Sequence, residues 1–176
     1  LLFYKIFLII IGFGVTSLHA KPLVAYMSDS LWHFLDDKGK EMFEAKPYHK
    51  VLGYSEGFFR VNIVEGGKTY WAFVDTKGKT IAKLDCDFAA NFSNGMALVY
   101  KVTGSDENNK KFTYLKSNGK LFSKYIYEDA TEFSEGLAFV MNPLQRGYID
   151  TNGKLVISLP YLASNCFREG LADVNN

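Results

Sequence analysis

The sequence is short of the residues on which most protein chemistry depends. It contains only three histidines and two cysteines among 176 residues, and its four prolines leave long stretches free for extended structure. An excess of one charge is also missing, since 20 Lys and Arg balance 19 Asp and Glu. No large field therefore attracts nucleic acid or anionic lipid, and we expect no nucleic-acid partner.

Apolar and aromatic residues, in contrast, are plentiful. Hydrophobic residues make up 48% of the chain and charged residues 22%, which is typical of folded globular proteins rather than disordered ones. The aromatic share of 16% favours β-sheets, and the length is sufficient for one domain with a sizeable core. Composition thus predicts a sheet-rich folded domain.

One long apolar run lies at the N-terminus. Residues 1–20 contain one lysine and no acidic residue, and their apolar run extends from Ile6 to Val15. A membrane span needs about 20 apolar residues, so this shorter run predicts a secretory signal peptide cleaved after Ala20, with an uncleaved anchor as the alternative. We therefore expect an exported protein, located in the periplasm, on the cell surface or in the medium. It would contact a membrane only through an uncleaved signal segment.

The remaining chain, residues 21–176, is built from a repeated pattern of two motifs. A four-residue turn motif that ends in glycine occurs four times, each time followed by a strand: YSEGFFRV, FSNGMALV, FSEGLAFV and FREGLADV. A hairpin motif occurs as WHFLDDKGK, WAFVDTKGK, FTYLKSNGK and RGYIDTNGK, and its glycine precedes the turn glycine by 17 or 18 residues. The motifs predict eight structural glycines, Gly39, Gly57, Gly78, Gly95, Gly119, Gly136, Gly153 and Gly170, and seven structural aromatic residues, Trp32, Tyr54, Trp71, Phe92, Phe112, Phe133 and Phe167.

Each repeat has the pattern of a β-meander. Residues 71–75 alternate between two faces, which is the period of a strand, and the following Lys-Gly suits a hairpin in which glycine takes the left-handed conformation. A second short strand, an irregular segment and a third strand such as Leu137 to Met141 follow. Asp75 and Asp150 stand before the hairpin turn, where their side chains can bond local backbone amides.

These repeats predict the domain organisation. Their approximate bounds are residues 32–70, 71–111, 112–145 and 146–176. The array begins in mid-unit at Leu23 to Tyr26 and ends in mid-unit at LADVNN, so we expect an incomplete last repeat and a longer parent array. We predict an all-β fold, a tandem array of three-stranded β-meander repeats that forms either a propeller or a solenoid.

The paired motifs resemble the WG repeat, also called the KWG repeat, of bacterial proteins. Its units read G-K-W-G-Y-I-D-x-x-G-K followed by Y-D-x-A-x-x-F-S-E-G-L-A-x-V, and the resemblance covers about residues 23–176. RGYIDTNGKLVI and FSEGLAFV are the closest copies, although the Trp-Gly dipeptide is never intact and appears, for example, as Trp32-His33 and Arg146-Gly147. The resemblance implies a β-rich repeat protein, often exported, without established catalytic residues.

Few side chains are placed for catalysis or metal binding. Cys86 takes an inward position that tyrosine holds elsewhere, whereas Cys166 takes a polar, variable one two repeats away, so we predict a small buried thiol at Cys86 and no disulfide. Neither His33 nor His49 has a close histidine or cysteine neighbour, so we expect no metal and no cofactor. The turn glutamates recur, whereas a glycosidase needs one unique carboxylate pair.

A binding role is the function that this pattern favours. Aromatic residues at repeating positions are expected to form core, so the candidate contact regions are the variable loops Thr103 to Lys111 and Asn142 to Gln145. We expect a binding or scaffold protein, without catalysis of its own, for a protein or a cell-envelope polymer. The alternative is a part of a glycan- or peptide-active cell-envelope enzyme whose catalytic region lies outside this chain.

Overall fold

The computed structural model describes residues 9–10, 23–124, 126–160 and 163–175. Over these residues the protein is all-β, and its strands pair antiparallel. This confirms the predicted fold class, an all-β array of tandem repeats. The described residues include no helix that is long and apolar enough to span a membrane.

The strands are connected mainly by tight turns. In chain order they are β1 (Ile9–Ile10), β2 (Val24–Ser28), β3 (Leu31–Leu35), β4 (Lys50–Ser55), β5 (Phe58–Glu65), β6 (Lys68–Asp75), β7 (Thr80–Leu84), β8 (Phe88–Ser93), β9 (Met96–Val102), β10 (Lys110–Lys116), β11 (Asp129–Ala130), β12 (Leu137–Asn142), β13 (Gln145–Asp150), β14 (Leu155–Ser158), β15 (Ala163–Ser164) and β16 (Val174–Asn175).

The chain divides into two compact units, of which the first covers residues 1–84. It contains one sheet in the order β1-β2-β3 and another in the order β4-β5-β6-β7. Side chains from both sheets form one core, in which Trp32, Phe34, Phe59, Val61 and Val74 are buried. Burial of such side chains contributes roughly 1.5–3 kcal/mol each, which makes this core the main source of the unit's stability.

The second unit covers residues 85–176 and contains three sheets. Their strand orders are β10-β9-β8, β11-β12-β13-β14 and β15-β16. The first two sheets share a core in which Tyr114, Phe133, Val140 and Ile149 are buried. Tyr114 lies at its centre, with its ring centroid 4.8 Å from that of Phe133.

The sheets differ in one respect from the predicted three-stranded repeats. The segment before the turn, which we predicted to be irregular, forms strands at Lys50–Ser55 and Phe88–Ser93. Sheets therefore have up to four strands, and each long sheet combines the end of one sequence repeat with the start of the next. These strands were not predicted because the strand register shifts within each of them, between Val51 and Gly53 in β4 and between Ala89 and Phe92 in β8. Such a shift interrupts the alternation of side chains between the two faces of the strand, which is the sequence signal of a strand.

The predicted signal peptide, residues 1–20, lies outside the described residues except at Ile9–Ile10. These two residues pair with Val24 and Ala25 of β2. Cleavage after Ala20 and export remain predictions.

The predicted glycines occupy the two kinds of turn. All eight have positive φ, between 76° and 90°. In the Ser-Glu-Gly turns the preceding residue is also left-handed, with φ of 50° at Glu56, 55° at Asn94, 53° at Glu135 and 52° at Glu169. Two successive residues with positive φ define a two-residue hairpin of the I′ type, which matches the right-handed twist of the flanking strands.

We expect Gly136→Val to destabilise the protein by more than about 1 kcal/mol, because a β-branched residue fits poorly at positive φ. The φ of Gly136 is 81°, and a Cβ there would meet no atom within 4 Å, so the cost comes from the backbone alone. Urea unfolding followed by circular dichroism measures the effect. Gly136→Asn is the matched control, since asparagine tolerates the left-handed region, and equal stability of the valine variant and the wild type would contradict the turn assignment.

Candidate binding surface

The aspartates before the hairpin glycine are structural. Oδ1 of Asp75 accepts hydrogen bonds from the backbone N–H groups of Lys77 and Lys79, both at 2.9 Å. Asp36 and Asp150 form the same pair of bonds in their own repeats. These backbone donors lower the pKa of Asp36 and of Asp150 below the usual value. The predicted local turn chemistry is therefore present in three repeats.

The Ser-Glu-Gly turns, in contrast, connect one repeat to the next. Ser93 Oγ donates to the carbonyl oxygen of Phe133 at 2.7 Å. The backbone N–H of Gly136 donates to Oδ1 of Asn94 at 2.8 Å. Two hydrogen bonds thus join these two successive turns.

The next pair of turns repeats this arrangement. Ser134 Oγ donates to the carbonyl oxygen of Phe167 at 2.7 Å, and the N–H of Gly170 donates to Oε2 of Glu135 at 2.9 Å. The contact explains why a glutamate, which is unfavourable at positive φ, stands in the turn. Its carboxylate holds the following repeat, so the recurring acid has a structural role.

The predicted structural aromatics differ in burial. Trp32, Phe92 and Phe133 are 2–4% exposed and belong to the core. The other four are only partly buried: Tyr54, Trp71, Phe112 and Phe167. The Arg60 guanidinium lies 5.5 Å from the ring centroid of Trp71. Repeat position alone therefore does not determine burial.

The two thiols are free and lie in different surroundings. Cys86 is buried, and burial together with nearby Asp87 and Asp85 raises its pKa to about 12, so it remains a thiol at neutral pH. Cys166 is partly exposed, and its Sγ lies 3.4 Å from the carbonyl oxygen of Glu132. Both thiols are free in the structure.

The histidines have individual environments. His33 is stacked on Tyr26 with ring centroids 4.8 Å apart, and its Nδ1 lies 2.6 Å from Oε1 of Glu41. His49 is exposed, and its backbone N–H donates to the backbone carbonyl oxygen of Asn62. Among the described residues no group of three or more His, Cys, Asp and Glu side chains is placed to hold a metal ion.

A row of three aromatic side chains crosses the sheet β10-β9-β8. Tyr100 pairs directly with Phe112 on one side and with Phe88 on the other. Phe88 and Tyr100 are stacked with centroids 5.2 Å apart, and Phe112 meets Tyr100 edge-on at 5.4 Å. Nζ of Lys110 lies 5.0 Å from the Tyr100 ring centroid, within the range of a cation–π interaction. We call Phe88, Tyr100, Phe112 and Lys110 the aromatic row.

The variable loop between β9 and β10 adjoins this row. Residues 104–109 are exposed, and the loop is closed by Thr103, whose N–H and hydroxyl both donate to the carbonyl oxygen of Asn109. The backbone N–H of Ile126, whose side chain is exposed, donates to the carbonyl oxygen of Phe112. Backbone hydrogen bonds thus tie Ile126 to Phe112, and the loop that leads into Lys110 carries polar amides and carboxylates.

The second predicted loop, Asn142 to Gln145, is a tight hairpin turn. Oδ1 of Asn142 accepts from the N–H groups of Leu144 and Gln145 at 2.9 Å each. Leu144 at its tip is 95% exposed. The apolar side chains of this loop are those of Pro143 and Leu144.

The aromatic row was not predicted from the sequence. Phe112 was expected only as a structural aromatic, and neither Phe88 nor Tyr100 was expected to belong to a site. The signal was present, because the positions of Tyr100 in neighbouring repeats hold Asn62 and Met141. An aromatic residue that departs from the repeat pattern has no repeated core position to explain it.

Comparison with known proteins agrees with this repeated geometry. A family model described as "WG containing repeat" matches residues 71–101, 112–142 and 147–176. A search of the curated proteins finds no match. The matched segments make up just over half of the 176 residues, and each runs from a hairpin motif into the strand that follows the next Ser-Glu-Gly turn. The chain belongs to the WG-repeat family.

Proposed function

We propose that the protein is an exported binding or scaffold module, without catalysis of its own, for a protein or a cell-envelope polymer. The aromatic row is the observation that carries this proposal. It places Tyr100 and Lys110 on one sheet beside Phe88 and Phe112, two partly buried rings that also pack against the core, and next to a loop of variable length. Aromatic side chains combine a large apolar contact area with little conformational entropy, which suits them to binding surfaces.

The chemistry of the row fits a ligand with both apolar and polar faces. The rings offer apolar contact, Lys110 offers a positive charge, and the adjoining loop offers Asp106, Glu107 and Asn108 as polar groups. A sugar ring of an envelope polymer and an extended peptide both combine apolar and polar edges. The apolar N-terminal run supports export, because a short apolar segment after a lysine is typical of a secretory signal peptide. An exported protein would meet cell-envelope ligands, which lie outside the cytoplasm.

A scaffold role without catalysis is supported by the use of the acidic residues. Asp36, Asp75 and Asp150 each bond the backbone of their own turn, and Glu135 bonds the following turn. Carboxylates that hold turns together are occupied by structural hydrogen bonds. The recurring acids are thus explained by architecture.

Co-sedimentation with insoluble cell-wall polymer and retention of envelope proteins on the immobilised protein test the proposal. We expect Tyr100→Ser and Lys110→Glu to weaken binding by about tenfold or more, since each removes part of the row. Tyr70→Ser and Lys68→Glu are matched controls, because Lys68 lies 5.4 Å from the Tyr70 ring in the other unit. No retained ligand, or equal loss in both pairs of variants, would contradict the proposal.

A further inference from the structure

The third hairpin, at the end of β10, departs from the repeat pattern in its charge. The other three hairpins have an aspartate before the turn: Asp36, Asp75 and Asp150. This hairpin has Lys116 instead, and its turn is closed by Asn118, whose Oδ1 accepts from the backbone N–H of Lys120 at 3.0 Å. The turn therefore forms without the acid, and turn chemistry gives no reason for a lysine in its place.

Lys116 belongs to a longer basic stretch. Residues 108–127 contain five lysines and no acidic residue, although acids and bases are balanced over the whole chain. Two of the five lie at the start of β10 and have partners there, since Lys110 lies over the Tyr100 ring and Lys111 pairs with Glu128 at 3.0 Å. The remaining positive charge is at the other end of the strand and beyond it.

Three lysines from two hairpins lie around one aromatic ring. Nζ of Lys116 is 4.8 Å from the ring centroid of Phe122, within the range of a cation–π interaction. The backbone N–H of Lys116 donates to the carbonyl oxygen of Lys120 at 2.9 Å, so these two lysines stand at the two ends of one turn. A Cβ at Gly153 would overlap the Phe122 ring, which places the next hairpin, with Lys154, against the same side chain. We call Lys116, Lys120 and Lys154 the lysine patch.

The ammonium groups of the lysine patch have no acidic partner. Elsewhere lysines form ion pairs with acids, as Lys83 does with Glu65 at 2.6 Å. In the part of the chain that the structure describes, no carboxylate forms a salt bridge with a lysine of the patch. The nearest acid along the chain is Asp150, whose Oδ1 accepts from the backbone N–H of Lys154. Three lysines and this one aspartate leave a net charge of +2 on the two hairpins.

We propose that the lysine patch binds an anionic polymer of the glycan or polyol type, through its phosphate or carboxylate groups. Lysine is a flexible point charge with three donors, which suits either anion. The charges are spread over two neighbouring hairpins, which fits successive groups of an extended chain. The Phe122 ring is covered by Lys116 and packed on Gly153, so it is not offered to a nucleic base, and the patch lacks the stacking platform of a nucleic-acid site.

The lysine patch is separate from the aromatic row. Lys116 lies four residues along β10 from Phe112, a distance of about 13 Å in a strand. Binding at the patch therefore uses none of the side chains of the row. The inference rests on the proposed function only in placing the polymer in the cell envelope, and binding of purified polymers tests it apart from that function.

Biolayer interferometry of the full chain on immobilised poly(glycerol phosphate) and polygalacturonate measures the binding, with dextran as the uncharged reference. We expect binding to at least one of the two anionic polymers and none to dextran. The dissociation constant should rise with salt concentration, because bound counterions are released when lysines neutralise the polymer. Binding to the first polymer alone assigns the patch to phosphodiesters, and binding to the second alone assigns it to carboxylates.

Lys116→Asp is the decisive variant, since it gives this hairpin the residue that the other three have. We expect it to fold like the wild type by circular dichroism and to raise the dissociation constant by about tenfold or more, because it reverses a charge at the anion. Lys77→Glu is the matched control. Lys77 is also an exposed hairpin lysine, but it lies in the first unit beside Asp75, so this variant should bind like the wild type.

Four results would overturn the proposal. They are no binding to either anionic polymer, equal affinity of Lys116→Asp and the wild type, an equal loss in Lys77→Glu, and tighter binding to single-stranded DNA than to both polymers. If Tyr100→Ser lost the polymer and Lys116→Asp kept it, the ligand would belong to the aromatic row. That result would refute the lysine patch and leave the proposed function standing.

Discussion

Gly147→Ala is expected to lower the free energy of unfolding by about 3 kcal/mol or more, because its Cβ would overlap a neighbouring backbone. An ideal Cβ at Gly147 would lie 2.0 Å from the carbonyl oxygen of Ile157 and 3.1 Å from Cα of Ser158. The φ of Gly147 is 144°, which L-residues rarely adopt. Strain and overlap therefore act on the same residue.

The overlap at Gly147 is difficult to relieve. Gly147 lies in β13, which is paired with β12 on one side and β14 on the other. The register of β13 and β14 shifts between Tyr148 and Ile149, next to the close approach. Moving β14 away would break its hydrogen bonds to β13 and open the core around Ile149, which is fully buried. A backbone atom cannot rotate away as a flexible side chain would.

Urea unfolding of Gly147→Ala and Gly136→Ala, followed by far-ultraviolet circular dichroism, measures this prediction. Gly136 has φ of 81° with no atom within 4 Å of its Cβ position, so its alanine variant carries the backbone cost alone, about 1–2 kcal/mol. The difference between the variants isolates the overlap with Ile157. Midpoints that coincide for the two variants would show that β14 yields easily and would refute the explanation.

Local chemistry made much of the fold predictable from the sequence. Glycine at a fixed position after an aspartate, as in Asp75 and Gly78, specifies a hairpin because both residues act within five positions of the chain. The same reasoning located the turn at Gly136, and alternation located β6. These features require no knowledge of the rest of the molecule.

Features that depend on distant residues were not predictable in this way. Glutamate at positive φ contradicts local preference, and only the hydrogen bond from Gly170 to Glu135 explains it. The need for glycine at Gly147 is not evident from the repeats within this chain, because their equivalent positions hold His33, Ala72 and Thr113, although the WG pattern itself has glycine there. The approach of Ile157 makes glycine necessary at this one position. The aromatic row was missed because its members meet only when three strands pair.

Tyr114→Ala is expected to lower the free energy of unfolding by about 3–5 kcal/mol, because it removes a large ring from a packed core. Tyr114 is fully buried, and its ring contacts those of Phe122, Tyr127 and Phe133. Its hydroxyl donates to the carbonyl oxygen of Thr131 at 2.8 Å. The alanine variant therefore loses packing on several sides and one hydrogen bond.

Tyr114→Phe separates these two contributions. It keeps the ring and removes only the hydroxyl, which leaves the Thr131 carbonyl oxygen without this donor at a cost of about 1–2 kcal/mol. Phe34 and Phe73 occupy the same repeat position without a hydroxyl and are also buried, so the position accepts phenylalanine sterically. Urea unfolding of both variants measures the two losses. A phenylalanine variant as unstable as the alanine variant would mean that the hydrogen bond outweighs ring packing in holding these sheets together.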